Sequence, residues 1–295
     1  MTPVNPDSPA EIRQTLEKLG LALKKRWGQN FLINPSARER LLRLLDPHGG
    51  ESIWEIGPGL GAMTGSLLES GAHVTAFEID RGLCRYLEAA FGKQNGFTLE
   101  PGDFVRTWKA AAARALPRRV LGNLPYRSAS LMIASLAEGG LCPEVMIFTV
   151  QKEFAERMVA RPGTKSYSSF SVLSQACYEV TDRGELKAGS FYPAPEVISS
   201  VVELRPRASL PVEMDRPLLS EIARSLFASR RKTLRNNLLS SRVGREFGAD
   251  VALGILAQEG INPMSRAEEL DPDAFVRLAA RVAGIRGSSS PAERR

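Results

Sequence analysis

Ser52-Ile53-Trp54-Glu55-Ile56-Gly57-Pro58-Gly59-Leu60-Gly61-Ala62 begins as a run of mostly apolar residues and ends as a glycine-rich loop. The run reads as a buried strand, and the pattern after the loop predicts an amphipathic helix over 63–69, closed by Gly71. A second apolar strand over 73–77 ends in Glu78-Ile79-Asp80. Strand, glycine loop, helix and strand in that order form the mononucleotide-binding half of a doubly wound sheet. The spacing from Gly57 to Glu78 sets a carboxylate at the tip of the second strand, where it can accept both hydroxyl protons of a ribose. The loop also satisfies the Gly-x-Gly-x-x-Ala form of the dinucleotide fingerprint, so an NAD-dependent oxidoreductase is a rival reading. Pro58 counts against it. A loop that cradles pyrophosphate works through backbone N–H groups, and proline has none.

A third strand over 97–100 leads into Gly102-Asp103-Phe104, where Asp103 can accept an adenine amino group while an apolar neighbour packs on the ring. The fourth strand carries Val120-Leu121-Gly122-Asn123-Leu124-Pro125-Tyr126 to the same carboxyl edge, where ligands bind in such sheets. An amide, a proline and an aromatic ring at a strand end suit methylation of an exocyclic base amine. The lone pair of that amine is delocalised into the ring, which makes it a poor nucleophile. The Asn123 side-chain oxygen and the carbonyl of Leu124 or Pro125 can accept its two N–H bonds and favour a pyramidal nitrogen. Pro125 stiffens the loop, and Tyr126 offers a face on which a flipped base can stack. Glycine loop, ribose acid, adenine acid and amide-Pro-aromatic set thus follow one another on four strands. Together they describe S-adenosylmethionine beside an amine acceptor.

The remaining chain sorts by periodicity. A helix is expected over 9–23, with Ile12, Leu16, Leu19 and Leu23 on one face, then a basic-aromatic segment over 24–31 and a helix over 35–45. Strand and helix signals alternate to 150, followed by a helical stretch over 153–159 and a breaker-rich loop over 161–166. Strands near 178–181 and 198–204 flank a turn over 191–195 and are expected to pair antiparallel at the sheet edge. Beyond a linker starting at Arg205 only helical patterns occur, over 218–282. The expected fold is α/β, a doubly wound, mostly parallel Rossmann-like sheet with a small C-terminal all-α domain. Its expected parts are an N-terminal helical extension (1–23), a cofactor domain (24–207), a helical domain (208–283) and a disordered tail (284–295).

Hydrophobic content of 43% and charged content of 24% place the chain among soluble globular proteins. The net charge of +6 favours a polyanionic partner, and its distribution says more. Residues 222–245 hold seven basic residues (Arg224, Arg230, Arg231, Lys232, Arg235, Arg242, Arg245) and no acidic one. A solvated helix face usually carries both signs, so this run reads as phosphate-binding. Cys84, Cys142 and Cys177 match no metal or redox spacing and read as thiols of a reducing compartment; His48 and His73 are too few for a metal site. No apolar run spans a membrane and the N-terminus has no signal-peptide pattern, so a cytoplasmic protein is expected.

Several segments carry a further resemblance. They are 25–32 (Lys-Arg-Trp-Gly-Gln-Asn-Phe-Leu), 55–61, 122–126, 151–153, Phe191-Tyr192-Pro193-Ala194-Pro195, 230–236, and Gly260-Ile261-Asn262-Pro263 with Arg266-Ala267-Glu268. Through them, over about 25–283, the chain resembles the ribosomal RNA adenine N6,N6-dimethyltransferase family. Its C-terminal match favours the small-subunit branch over the antibiotic-resistance enzymes of the large subunit. The resemblance implies S-adenosylmethionine as cofactor and no metal. It also implies dimethylation of two adjacent adenosines near the 3′ end of small-subunit rRNA, within an immature subunit. Asn123, Pro125, Tyr126 and Phe191 would form the target-base site, Phe191 as the wall opposite Tyr126. Gln29, Asn30 and Leu32 would cover the methionine end of the cofactor, and Gly57, Gly59, Glu78, Asp103 and Asn123 would hold the rest. Lys25, Arg26, Arg230, Arg231, Lys232 and Arg235 would bind RNA, with Arg231 and Arg235 expected on one helix face, and the protein is expected to be a monomer. Arg127, Glu196 and Ile198 depart from the family pattern beside the base site. A non-catalytic ribosome-assembly factor is the other rival reading.

Overall fold

The computed structural model describes residues 2–21, 29–208 and 214–288. A seven-stranded sheet is built from β2 (Ser52–Ile56), β3 (His73–Glu78), β4 (Phe97–Pro101), β5 (Arg119–Asn123), β6 (Val145–Gln151), β7 (Tyr178–Leu186) and β9 (Ser199–Pro206), in the order β4-β3-β2-β5-β6-β9-β7. The pairs β2–β3, β3–β4, β2–β5 and β5–β6 are parallel, and β9 joins β6 antiparallel. Parallel strands covered on both faces read as unbroken apolar runs rather than alternating ones, which is why Ile53 to Ile56 and Val145 to Val150 are buried throughout.

Between these strands lie α3 (Thr64–Glu69), α4 (Arg81–Phe91), α5 (Phe104–Arg114) and α6 (Ala129–Glu138), and α7 (Lys152–Met158) follows β6. Asp80 and Asp103 cap α4 and α5 by accepting the N–H groups of Gly82 and Val105, so both helices start at the carboxyl edge of the sheet. The order reverses beside β2, whose neighbours are β3 and β5, and this opens the crevice in which doubly wound folds bind ligands. One buried cluster joins Leu41 and Leu45 of α2 (Pro35–Leu45) to Ile53, Leu67, Val74, Leu121 and Ile147.

A separate two-stranded ribbon pairs β1 (Phe31–Leu32) with β8 (Phe191–Tyr192), Leu32 facing Phe191 in register. The residues expected as a turn over 191–195 thus begin as a strand. Phe191 is 2% exposed within the same apolar cluster as Leu32 and Val201.

Helix α1 (Pro9–Lys18) is shorter than expected, because Gly20 (φ +64°) ends it. Leu21 N–H donates to Leu16 O and Gly20 N–H to Glu17 O, the Schellman arrangement that a left-handed glycine allows. Leu23 and the segment 24–28, with Lys25 and Arg26, lie outside the described residues.

The chain divides into two compact units. The first comprises Met1–Met132, Cys142–Ala155 and Thr181–Pro206, and the second Ile133–Leu141, Glu156–Val180 and Arg207–Arg295. The second unit holds α8 (Ser169–Cys177), α9 (Arg216–Leu226), α10 (Leu234–Ser240), α11 (Arg242–Gln258) and α12 (Pro272–Ser288), and α8 packs on both α9 and α12. That packing explains why 156–180, placed in the cofactor domain on sequence order, groups with the helices. Helix α12 continues past Gly284, where a tail was expected to begin, and residues 289–295 are outside the described set.

Candidate active site

A cleft of about 300 Å³ opens at the carboxyl edge of β2, β3 and β5. Its lining brings together Gln29, Asn30, Leu32, Gly57, Gly59, Glu78, Asp103, Asn123 and Pro125 from the sequence-derived site. Tyr126 and Phe191 are not part of that lining.

The glycine loop turns sharply because Gly57, Gly59 and Gly61 all have positive φ (72°, 61° and 76°). A Cβ on Gly61 would lie 2.4 Å from the Phe91 ring, so something there must shift, and one on Gly59 would press on Phe31 at 3.0 Å. Glu78, 6% exposed, is the last residue of β3. Its carboxylate accepts the Asp80 N–H at 2.8 Å and the Gly59 N–H at 3.4 Å. Burial pushes the Glu78 carboxyl up to about 7, and the charge of Asp80 adds to this against the two N–H bonds.

Glu55 is a site residue that the sequence reading passed over. It lines the cleft at 3% exposure and accepts the Thr64 hydroxyl at 2.6 Å. Burial pushes it, too, up to about 7; the Thr64 bond opposes the shift and the Glu78 charge reinforces it. An acid in the middle of an otherwise apolar strand was the available signal. Two buried carboxyls facing one cleft suit a ligand that brings hydroxyl donors and positive charge.

At the end of β5, the Asn123 side-chain NH₂ donates to Asn30 O at 2.7 Å, which turns its Oδ1 away from that contact and leaves it to accept. The Pro125 carbonyl is taken by the N–H groups of Ser128 and Ala129, which start α6. Of the two backbone acceptors expected from sequence, Leu124 O therefore remains. Gly122 is required just upstream, since a Cβ there would stand 2.7 Å from Leu124 Cδ2 and 3.2 Å from Ile56 O. Tyr126 is half-buried, and its hydroxyl shares a 2.6 Å hydrogen bond with Ser199, a fully buried residue at the start of β9. Of the departures from the family pattern, Arg127 is exposed and lines the cleft, while Glu196 and Ile198 are exposed on the loop before β9.

In the second unit the basic run is partly committed. Arg230 pairs with Glu268 at 2.7 Å and donates to Lys165 O; Arg224 pairs with Glu138, and Arg242 with Glu221 and Glu246. The one-signed stretch of sequence thus finds its acids elsewhere in the chain. Arg231, Lys232 and Arg235 are exposed, and among the described residues no carboxylate lies within ion-pair distance of them. Arg231 does not share a helix face with Arg235. Thr233 caps α10, so the helix starts at Leu234 and Arg231 stands in the preceding turn.

Among the described residues no group of three or more His, Cys, Asp or Glu could hold a metal ion, and no helix is long and apolar enough to cross a membrane.

The chain is similar to known proteins along most of its length. It is 43% identical over 274 residues to ribosomal RNA small subunit methyltransferase A of Treponema denticola, covering 92% of this chain and 93% of that protein. It is 40% identical over 237 residues to the protein of the same name from Borreliella burgdorferi, covering 80% and 83%. Among solved structures, a dimethyladenosine transferase from Plasmodium falciparum superposes with a TM-score of 0.70 at 23% identity, over 83% of this chain and 94% of that one. The 23S rRNA methyltransferase ErmE gives 0.59 at 22% identity, over 86% and 100%. These two likenesses show the fold. The model of the ribosomal RNA adenine dimethylase family matches residues 20–283, and the chain belongs to that family.

Proposed function

We propose that this enzyme, an S-adenosylmethionine-dependent rRNA adenine dimethyltransferase, acts on two adjacent adenosines near the 3′ end of small-subunit rRNA in an immature subunit. The observation that carries the site assignment is the end of β5. There the Asn123 amide nitrogen is held by Asn30 and the Pro125 carbonyl by Ser128 and Ala129, which leaves Asn123 Oδ1 as the acceptor beside the cleft and Leu124 O as the backbone acceptor next to it in the chain.

The residues present fit the cofactor. Glu78 would accept the ribose hydroxyls, Asp103 the adenine amino group, and the glycine loop would let the ligand approach the backbone. Gln29, Asn30 and Leu32 cover the methionine end, and buried Glu55 faces the same cleft. When bound, S-adenosylmethionine supplies an electrophilic methyl group on a sulfonium. Asn123 Oδ1 and Leu124 O would accept the two N–H bonds of the target amine and favour a pyramidal nitrogen with its lone pair free. Tyr126, its ring anchored through Ser199, stacks on the base, and Pro125 fixes the turn between them. The fully buried position of Phe191 in this structure means that its role as the opposite wall requires the 191–198 segment to open on RNA binding. The neutral amine sheds its proton to solvent after transfer, so no carboxylate base is needed.

Incubating the protein with radiolabelled S-adenosylmethionine and immature small subunits, then digesting the RNA to nucleosides, tests the assignment. Label is expected in N6,N6-dimethyladenosine. Binding of the subunit without label would favour the assembly-factor reading.

Arg231, Lys232 and Arg235 bind the phosphate backbone rather than bases, since A-form helices hide their major-groove edges. Residues 208–283 thereby serve as the helical RNA-binding part, and Arg230 acts there chiefly by fastening the 161–166 loop. The Arg231→Glu, Arg235→Glu double variant is expected to weaken subunit binding. It should flatten the log–log salt dependence by about one unit at most for each phosphate that the protein no longer neutralises. Filter binding across a salt series checks this; a wild-type slope would move the RNA to Lys24, Lys25 and Arg26.

A further inference from the structure

The family match begins at residue 20, yet the cofactor cleft is walled in part by Val4, Pro6 and Ile12, which precede it. Three interactions hold this segment in place. The Val4 N–H donates to the Tyr86 hydroxyl of α4 at 2.8 Å. Asp7 pairs with Arg38 of α2, and the same guanidinium donates to Leu32 O at 3.2 Å, so one side chain ties the N-terminal segment to β1. The apolar face of α1, Ile12 and Leu16, is buried against Leu60 of the glycine loop, Phe31, and Leu83 and Leu87 of α4.

Two details show that the rest of the first unit is shaped for this docking. Gly20 turns the chain after α1 so that Leu21 reaches the first turn of α4. At that turn Gly82 leaves room for it, because a Cβ there would stand 2.2 Å from Leu21 Cδ2. Glycine is a poor helix former, and its presence in α4 has a local reason in the seat for Leu21.

We infer that the segment from Val4 to Leu21 is part of the cofactor site. It closes the cleft between the glycine loop and α4, raises the affinity for S-adenosylmethionine, and must loosen for the cofactor to leave. The inference rests on the assignment of this cleft to S-adenosylmethionine. Val4, Pro6 and Ile12 present apolar surface to the ligand, while Tyr86 and Arg38 hold the segment from behind and act as positioning residues.

The test uses the full chain and S-adenosylhomocysteine as probe. The Asp7→Ala, Tyr86→Phe double variant loses two anchors while the carboxylates and glycines of the cleft stay as they are. Its dissociation of the probe, followed by stopped flow, is expected to be about tenfold faster than in the wild type. In a second arm that needs no variant, trypsin cleavage after Arg13 and Lys18 of the wild-type protein is expected to slow when the probe is added. This arm decides the matter if the variant fails to fold. Unchanged dissociation in a folded variant, or cleavage after Arg13 and Lys18 that ignores the probe, would overturn the inference and leave α1 a purely structural element. A wild-type protein that binds no probe at all would instead overturn the assignment of the cleft.

Discussion

Asn123→Ala is expected to lower the rate of methyl transfer about 10²- to 10³-fold while leaving subunit affinity nearly unchanged. The magnitude is that of removing one preorganised hydrogen bond from a reacting centre. On the proposed role, Asn123 Oδ1 would meet the target amine only as its nitrogen turns pyramidal, so its loss should fall on kcat rather than on binding. Single-turnover transfer with bound subunits, set beside filter binding, separates the two quantities. Asn123→Asp is the informative companion. It keeps an acceptor for the amine but sets a carboxylate against Asn30 O, where the native amide donates at 2.7 Å. A rate between those of alanine and wild type is expected. Should both variants transfer methyl at the wild-type rate, Asn123 has no part in the chemistry.

Glu78→Ala is expected to weaken S-adenosylmethionine binding by roughly tenfold to several hundredfold, the loss of two charge-assisted hydrogen bonds of about 1.5–3 kcal/mol each, reduced by non-additivity. Calorimetric titration measures it, and unchanged affinity in a folded variant would remove Glu78 from the site. The same titration with NAD is expected to give no heat. The pH dependence follows from the position of the carboxyl. In the empty cleft burial holds it up to about 7, whereas accepting two ribose hydroxyls favours its ionised form. Affinity is therefore expected to fall about tenfold between about pH 7.5 and about pH 6, and Glu78→Gln should flatten that limb.

Stability of the empty protein runs the other way. A carboxyl whose folded pKa stands above its unfolded value of 4.5 favours the fold while protonated. That contribution is full below about 4.5 and is lost as the pH rises through about 7. The shift corresponds to about 3 kcal/mol. Glu78→Gln should accordingly raise the Tm of the ligand-free enzyme at neutral pH while lowering its cofactor affinity. Buried carboxyls such as Glu55 and Glu78 cost the ligand-free fold stability at neutral pH, which the proposed use of Glu78 by the cofactor would account for.

The residues that meet at the cleft were legible because its elements obey periodic rules. Four apolar strands, each followed by a helix, leave no choice of where Glu78, Asp103 and Asn123 must stand, and the cleft gathers all three. Interactions between distant parts of the chain were not legible. The apolar face of α1 announces burial but not its partner, so the reach of Val4 and Pro6 into the cleft could not be read. Phe191 looked like a turn residue because the prolines after it are local signals, whereas its pairing with Leu32 is not. Arg230 looked equivalent to Arg231 in a basic run, and only the fold supplies Glu268 to one and not to the other. The helix start at Leu234 was readable in principle, since Thr233 is a preferred capping residue.

The ribbon of β1 and β8 has a consequence for the birth of the protein. Leu32 waits for Phe191, roughly 160 residues later in the chain. At about 5–20 residues per second, roughly ten to thirty seconds of synthesis separate them. Closing so long a loop is entropically costly until the intervening sheet has formed, so this pairing comes late. Until then β1 has no strand partner, although Arg38 already donates to Leu32 O. The strand that carries Leu32 to the cleft rim is therefore completed near the end of folding, once most of the sheet is already in place.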